Sequence, residues 1–289
     1  MVLMAAMTVS MLTGCKTADG KKAEAPSSGN QAAAEAKTED EGKASEGGED
    51  YSYHWKLATT ESSDYYMTQL SQEFLDIVEE KTGGKVTGEV FASGQLGGLV
   101  DALEGLEMGN IDIVMDGVSS LSAVDDIFNV WCLPFLYDNK EHQYRFWDNH
   151  FDEVSDMVAE QSGFRLVSVI DGMNRELAST VPVESMADLK GLKIRVPNIP
   201  GYVRIWECLG AAPIPMSLSE VYTSIQTGVV QGQENDIALT LSLKFYEVAP
   251  YCVMTDHVAY EGSFYFNEEE YQSYPDELKQ IIQEAGEEI

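Results

Sequence analysis

The sequence predicts an α/β fold arranged as two lobes, and three observations carry that reading. From Tyr53 onward, short runs rich in β-branched and aromatic residues alternate with stretches of helical period, the pattern of strands layered against helices. Hydrophobic residues make up 44% of the 289, enough for a sizeable core and too many for a disordered polyelectrolyte. About 240 foldable residues hold two successive series of strand–helix units without an internal repeat, and that length fits two lobes better than one.

Taken in order, Tyr53 to Thr59 alternates as a strand. Asp64 to Lys81 reads as a helix, with Asp64 as its cap, Leu70, Phe74, Ile77 and Val78 on one face, and Gly83 as its stop. Lys85 to Phe91 is the next strand, Leu99 to Met108 a helix, and Ile111 to Met115 a third strand. Val124 to Tyr137 is apolar but loop-like, carrying Trp131, Pro134 and Phe135. Glu141 to Gln161 is helical and Phe164 to Ile170 a buried strand. In the second half, Asn174 to Thr180 and Leu192 to Val196 are strands, the latter stopped by Pro197. Pro200 to Leu209 is a helix and Ala212 to Met216 a short strand. Ser217 caps a helix running to Thr227, with Glu220 at the capping-box position. Val229 to Gln233, Tyr251 to Asp256 and Tyr260 to Asn267 are strands, and Pro275 to Ile289 is an amphipathic helix.

The charge balance narrows the function. Asp and Glu number 49 against 18 Lys and Arg, a net charge of −31, which excludes a nucleic-acid surface and a basic patch for anionic lipid. Met1 to Cys15 carries no charge and ends Leu12-Thr13-Gly14-Cys15. That segment resembles a bacterial lipobox, in which Cys15 is acylated and becomes the new N-terminus. No Lys or Arg precedes the apolar stretch, which places the expected natural start a few residues upstream. Residues 16–50 contain no Val, Ile, Leu, Met or aromatic side chain, so they cannot bury enough apolar surface to offset ordering and read as a disordered tether. Beyond Cys15 only Cys132, Cys208 and Cys252 remain, without Cys-x-x-Cys spacing. One disulfide fits that count; three buried thiols are the expectation.

Motifs for cofactors, metals and catalysis are missing. No Gly-x-Gly-x-x-Gly opens a helix, and there is no phosphate loop, His-Glu-x-x-His or Gly-x-Ser-x-Gly. No cofactor or metal is expected. Asp125-Asp126 and the spaced His142 and His150 are ordinary surface features in so acidic a chain. Arginine is scarcer, with only Arg145, Arg165, Arg175, Arg195 and Arg204. Arg175 and Arg195 sit in strand-like segments, where a charge is costly unless paired. Each either pairs with an internal acid, the ordinary reading from spacing alone, or clamps a ligand carboxylate through two parallel hydrogen bonds. Arg204, beside Glu207, reads as surface.

A run of motifs then carries a resemblance. Asp188-Leu189-Lys190-Gly191-Leu192-Lys193-Ile194-Arg195-Val196-Pro197 is followed by Leu209-Gly210-Ala211-Ala212-Pro213-Ile214-Pro215-Met216 and Ser219-Glu220-Val221-Tyr222. Gln226-Thr227-Gly228-Val229-Val230-Gln231-Gly232-Gln233-Glu234-Asn235 and Lys244-Phe245-Tyr246-Glu247-Val248 complete it. In order and spacing, from Tyr53 to Ile289, the chain resembles the solute-binding proteins of TRAP (tripartite ATP-independent periplasmic) transporters.

The resemblance implies a periplasmic-binding-protein-like fold, a Venus flytrap with a hinge-crossed ligand cleft, and a membrane permease as partner. Lobe I is expected over 51–172 plus about 261–289 and lobe II over 173–260. Arg195 stands where the family places its carboxylate clamp, Arg175 at a second ligand-contacting arginine, and Asn235 at the cleft asparagine. Leu218 replaces an often aromatic residue and Gln231 the usual aspartate. Family members continue beyond the equivalent of Ile289, so a C-terminal truncation is expected. Thr59, Glu61 and Asp116, at strand ends of the first lobe, are candidates for reading ligand hydroxyls. The expected ligand is a small organic acid, first a uronate or related sugar acid and second a C4-dicarboxylate. Screening over about 8 Å confines the acidic surface field, so two guanidiniums in a dry cleft still dominate locally. The rivals are an ABC-type receptor, which shares the architecture, and an exported enzyme, for which no catalytic motif speaks.

Overall fold

In the computed structural model, residues 51–289 are described; Cys15, the proposed lipidation site, and the tether over 16–50 lie outside them. Alternation sets the first strand: in β1 (Tyr53–Ala58) Trp55 and Leu57 turn into the core while His54 and Lys56 face solvent. Helix α1 (Tyr66–Lys81) buries Met67, Ser71, Phe74, Leu75 and Val78 along one face. It ends where Gly83 and Gly84 take φ of +63° and +82°. Their N–H groups donate to the carbonyls of Glu80 and Glu79, the paired bonds that close a left-handed helix end.

The remaining strands are β2 (Val86–Phe91), β3 (Ile113–Gly117), β4 (Phe164–Leu166), β5 (Ile170–Ser179), β6 (Lys193–Val196), β7 (Ala212–Pro215), β8 (Gly232–Asp236) and β9 (Tyr251–Asn267). The helices are α2 (Leu99–Glu107), α3 (Lys140–Ser162), α4 (Pro200–Cys208), α5 (Val221–Gln226), α6 (Ile237–Ser242), α7 (Glu268–Ser273) and α8 (Asp276–Glu288). The strands form one sheet in the order β2-β1-β3-β9-β5-β8-β6-β7, with β4 also on β9. Parallel β2-β1-β3 belongs to one α/β lobe and parallel β8-β6-β7 to the other. The long antiparallel strands β5 and β9 run through both.

Each lobe has its own core. In the first, Phe74 stacks on Phe264 at 4.4 Å between ring centroids, and Trp55, Tyr271 and Tyr274 close around Phe266. In the second, Ile194, Val196, Tyr202 and Trp206 pack with Leu177 and Val258. The crossing strands meet imperfectly, because β5 shifts register on β9 between Asp171 and Asn174. At that bulge a Cβ on Gly172 would lie 2.2 Å from the Tyr260 carbonyl oxygen, so only glycine fits.

Several sequence expectations are corrected. Asp64 does not cap α1, whose first turn starts two residues later with no side-chain cap. Val124 to Tyr137 is partly ordered as a 3₁₀ segment, Asp126–Cys132, capped by the Asp125 carboxylate accepting from the Ile127 N–H. Phe164 to Ile170 is divided between β4 and the start of β5. Tyr251 to Asp256 and Tyr260 to Asn267 are one strand of 17 residues. The strand expected at Val229 to Gln233 lies three residues later, since Gly228 turns at φ +77° and Val230 still bonds back to the Ser224 carbonyl. The chain also forms α6 and α7, which were not expected. Only Cys132 of the three remaining thiols is buried; Cys208 and Cys252 are exposed, and all are free.

Candidate ligand-binding site

The C-terminal ends of parallel strands from both lobes converge on a cavity of about 110 Å³, the place where open α/β sheets present their ligand sites. Thr60 and Glu61 follow β1, Ser93 and Gly94 follow β2, and Asp116, Ser119 and Ser120 come from the end of β3. Opposite them stand Arg195 and Pro197 from β6, Met216 to Ser219 after β7, and Asn235 from β8. Arg175 and Tyr260 enter from the crossing strands. The rims nearly touch: a Cβ on Gly98, at the start of α2, would sit 3.4 Å from the Ser217 Oγ.

Strand β8 explains much of this arrangement. Its sequence Gly232-Gln233-Glu234-Asn235-Asp236 is polar, yet every residue is buried. Such a strand is stable only if its side chains find partners, and they do. Gln233 Nε2 donates to the Thr240 Oγ1, Asn235 Nδ2 to the Gln233 Oε1, and Tyr65 Oη to the Asp236 Oδ2. Glu234 receives Arg175 through two parallel bonds, Nε to Oε2 at 2.6 Å and Nη2 to Oε1 at 2.9 Å. The same Nη2 reaches the Asn235 Oδ1 at 2.8 Å, and the guanidinium lies over the rings of Tyr202 and Tyr260. His257 Nε2 stands 3.3 Å from the Glu234 Oε2. Burial alone would push the Glu234 carboxyl up, but Arg175 and His257 outweigh it and hold it down at about 2.

Arg195 is equally buried, 3% exposed against 4% for Arg175, and differently placed. Its Nε and Nη2 both donate to one acceptor, the Met216 carbonyl, at 3.0 and 2.8 Å. No carboxylate lies within ion-pair distance among the described residues. Burial, with Arg175 adding repulsion, lowers its pKa to about 10 despite the pull of Glu234 and Asp116. A guanidinium short of an anion at the wall of a cavity has the planar fork that fits a carboxylate.

The acidic side of the cavity is crowded. Asp116 Oδ1 accepts from the Gly117 N–H at 2.7 Å and the Ser120 Oγ at 2.5 Å, and burial raises its pKa. Glu61 Oε1 accepts from the Tyr260 hydroxyl at 3.0 Å, while Oε2 has no partner among the described residues. Burial first, then Asp116 and Asp236, raise the Glu61 carboxyl well above the ordinary glutamate range.

Of the residues singled out in the sequence, Arg195, Arg175, Asn235, Leu218, Asp116 and Glu61 all line the cavity. Thr59 does not. Its N–H continues the pairing with the Phe91 carbonyl and its Oγ1 accepts from the Glu61 N–H, so its side chain is spent on folding the loop and Thr60 takes the cavity position. Sequence reasoning missed Ser119, Ser120, Tyr202 and Tyr260. Ser119 and Ser120 follow a strand end, a signal that was available; the tyrosines carry no local signal. Among the described residues no group of His, Cys, Asp and Glu is arranged to hold a metal ion, and no helix is long and apolar enough to cross a membrane.

The model of the family described as bacterial extracellular solute-binding protein, family 7 (DctP), matches residues 57–289. The chain belongs to this family of TRAP-transporter receptors. DctP proteins are transport accessory proteins rather than catalysts. A solute-binding protein of Roseobacter denitrificans is 37% identical over 178 residues, covering 61% of this DctP chain and 54% of that protein, about half its length. The crystal structure of a TRAP periplasmic solute-binding protein from Roseobacter denitrificans with bound L-galactonate has a TM-score of 0.78 at 29% identity, covering 82% of this chain and 79% of that one. A second, from Sulfitobacter sp. with bound β-D-galacturonate, has a TM-score of 0.77 at 29% identity, covering 81% and 79%. The two-lobed fold with a central cleft is common to them.

Proposed function

We propose that this DctP chain is a lipid-anchored extracytoplasmic receptor that captures a sugar acid, a uronate or its aldonate relative, and delivers it to a TRAP permease. The observation that carries the ligand class is Arg195, a buried guanidinium facing the cavity without a carboxylate partner among the described residues. A ligand carboxylate completes that charge, and each charge-assisted hydrogen bond contributes about 1.5–3 kcal/mol. Hydroxyl-bearing and carboxyl side chains opposite, Thr60, Ser119, Ser120, Asp116 and Glu61, suit a polyhydroxylated carbon chain. The sugar acids bound to the Roseobacter and Sulfitobacter structures support the same choice. Lobe I is assigned to 51–172 plus 261–289 and lobe II to 173–260, a division supported by the register break of β5 after Asp171 and by β9 passing from β5 to β3 near Gly262. Closure about these strands is the functional event. Acylation of Cys15 would hold the receptor at the membrane.

The test is thermal unfolding of the full chain against a panel of uronates, aldonates, dicarboxylates and neutral sugars. A ligand at a thousand times its Kd adds about 4 kcal/mol of stability, an evident rise in Tm. A rise with sugar acids alone supports the proposal, whereas a rise with neutral sugars alone removes the carboxylate clamp from it.

A further inference from the structure

The cavity wall and the side chains just behind it together hold more acid than base. Arg175 and Arg195 share the wall with Glu61 and Asp116, while Glu234 lies behind it on Arg175 and Asp236 behind it on Tyr65. With every carboxyl ionised, a bound anion would add to a large uncompensated negative charge in a space of about 110 Å³, which a buried site does not tolerate. At least one carboxyl therefore carries a proton, and the geometry selects Glu61. It lines the cavity and is 3% exposed, its Oε1 is taken as an acceptor by the Tyr260 hydroxyl, and its Oε2 is buried without a partner among the described residues. A carboxylic acid so placed carries its proton on the oxygen that Tyr260 leaves free, at the cavity wall.

Resting on the anion-receptor reading above, we propose that Glu61 takes part in binding as a neutral carboxylic acid that donates a hydrogen bond to an oxygen of a singly charged ligand, selecting hydroxylated monocarboxylates over dicarboxylates. Arg175 cannot serve a second ligand carboxylate as a free charge, because Glu234 already matches it. Arg195 is then the one guanidinium still to be neutralised, and a monoanion neutralises it. The groups facing Glu61 come from several elements: Asp116 on β3, Asp236 at the end of β8, Tyr65 ahead of α1, Tyr260 on β9 and Arg175 on β5. Burial first, then Asp116 and Asp236, keep its proton on, and the Tyr260 hydrogen bond and Arg175 oppose them less; a carboxylic acid kept neutral in this way is an effective donor.

The experiment has a ligand-free arm and a ligand arm, both on the full chain. In the first, the side-chain carboxyl carbons of 13C-glutamate-labelled protein are titrated by NMR, with Glu61→Gln identifying the resonance. Glu61 is expected to remain protonated at pH 7, and an ordinary titration near pH 4 overturns the proposal without reference to any ligand. In the second, D-galacturonate and succinate are titrated calorimetrically from pH 5 to pH 9. D-galacturonate affinity is expected to fall about tenfold per pH unit once Glu61 ionises, Glu61→Gln to flatten that profile because its amide donates at every pH, and succinate to bind at least tenfold more weakly. A pH-independent wild-type affinity, or succinate binding as tightly as D-galacturonate, overturns it. A protonated Glu61 in a protein that answers to no sugar acid supports the neutral carboxyl and instead overturns the sugar-acid reading.

Discussion

Two arginines lie in the walls of one cavity, both buried, and they do opposite work. Arg175, at the centre of the sheet where β5 meets β8, has a carboxylate in a two-bond embrace, an amide and two aromatic faces. Arg195, on β6 beside the sheet's far edge, has one carbonyl. The first ties the crossing strand β5 to β8 of the second lobe; the second is held in position without a carboxylate partner among the described residues. Partner count, more than burial or residue type, separates the guanidinium that holds the fold together from the one proposed to recognise the ligand.

The comparison breaks most visibly through stability. Arg175→Met leaves Glu234 buried without its cation, a change expected to cost about 3–5 kcal/mol in urea denaturation. Arg195→Met removes a charge whose own pKa is depressed by burial, so apo stability should stay within about 1 kcal/mol or rise. Equal losses from the two variants would erase the distinction. The same pair sets an acid limit. Glu234 is held down at about 2, so its contribution is fully present above the ordinary glutamate value and is lost as pH falls through about 2. Stability measured from pH 5 to pH 2 should fall more steeply in wild type than in Glu234→Gln, which starts lower and lacks that slope.

Binding sharpens the contrast next. Arg195→Lys keeps the charge but not the planar fork, and losing one charge-assisted bond of about 1.5–3 kcal/mol predicts roughly a 10- to 100-fold weaker Kd for D-galacturonate by calorimetry. The smallest effects separate neighbouring threonines. Thr59→Val should cost about 1 kcal/mol of stability with affinity unchanged, while Thr60→Val should weaken binding a few-fold with stability unchanged. The reverse pattern would restore Thr59 to the site.

The sequence made the layering legible wherever side chains obey a simple period. Helices with a clear apolar face, such as Leu99 to Met108 and Glu141 to Gln161, emerged within a residue or two of their ends. Strand β8 did not, because its residues are polar and its stability comes from distant partners that periodicity cannot see. The length of β9 was hidden for a related reason, since Asp256 and His257 interrupt its apolar pattern while bonding to β5 and β8: the Asp256 N–H donates to Glu176, and His257 meets Glu234. At the site, arginines in apolar surroundings announced themselves. That Arg175 is matched and Arg195 is not depends on which acid folds against which, and only the assembled sheet decides that.

The most direct test of this division of labour is calorimetric titration of wild type and Arg195→Met with D-galacturonate and with its uncharged methyl ester. Wild type should bind the acid and discriminate at least tenfold against the ester, and Arg195→Met should lose that discrimination while remaining folded. If Arg195→Met still prefers the acid as strongly as wild type does, the carboxylate is held elsewhere and the assignment of Arg195 is wrong.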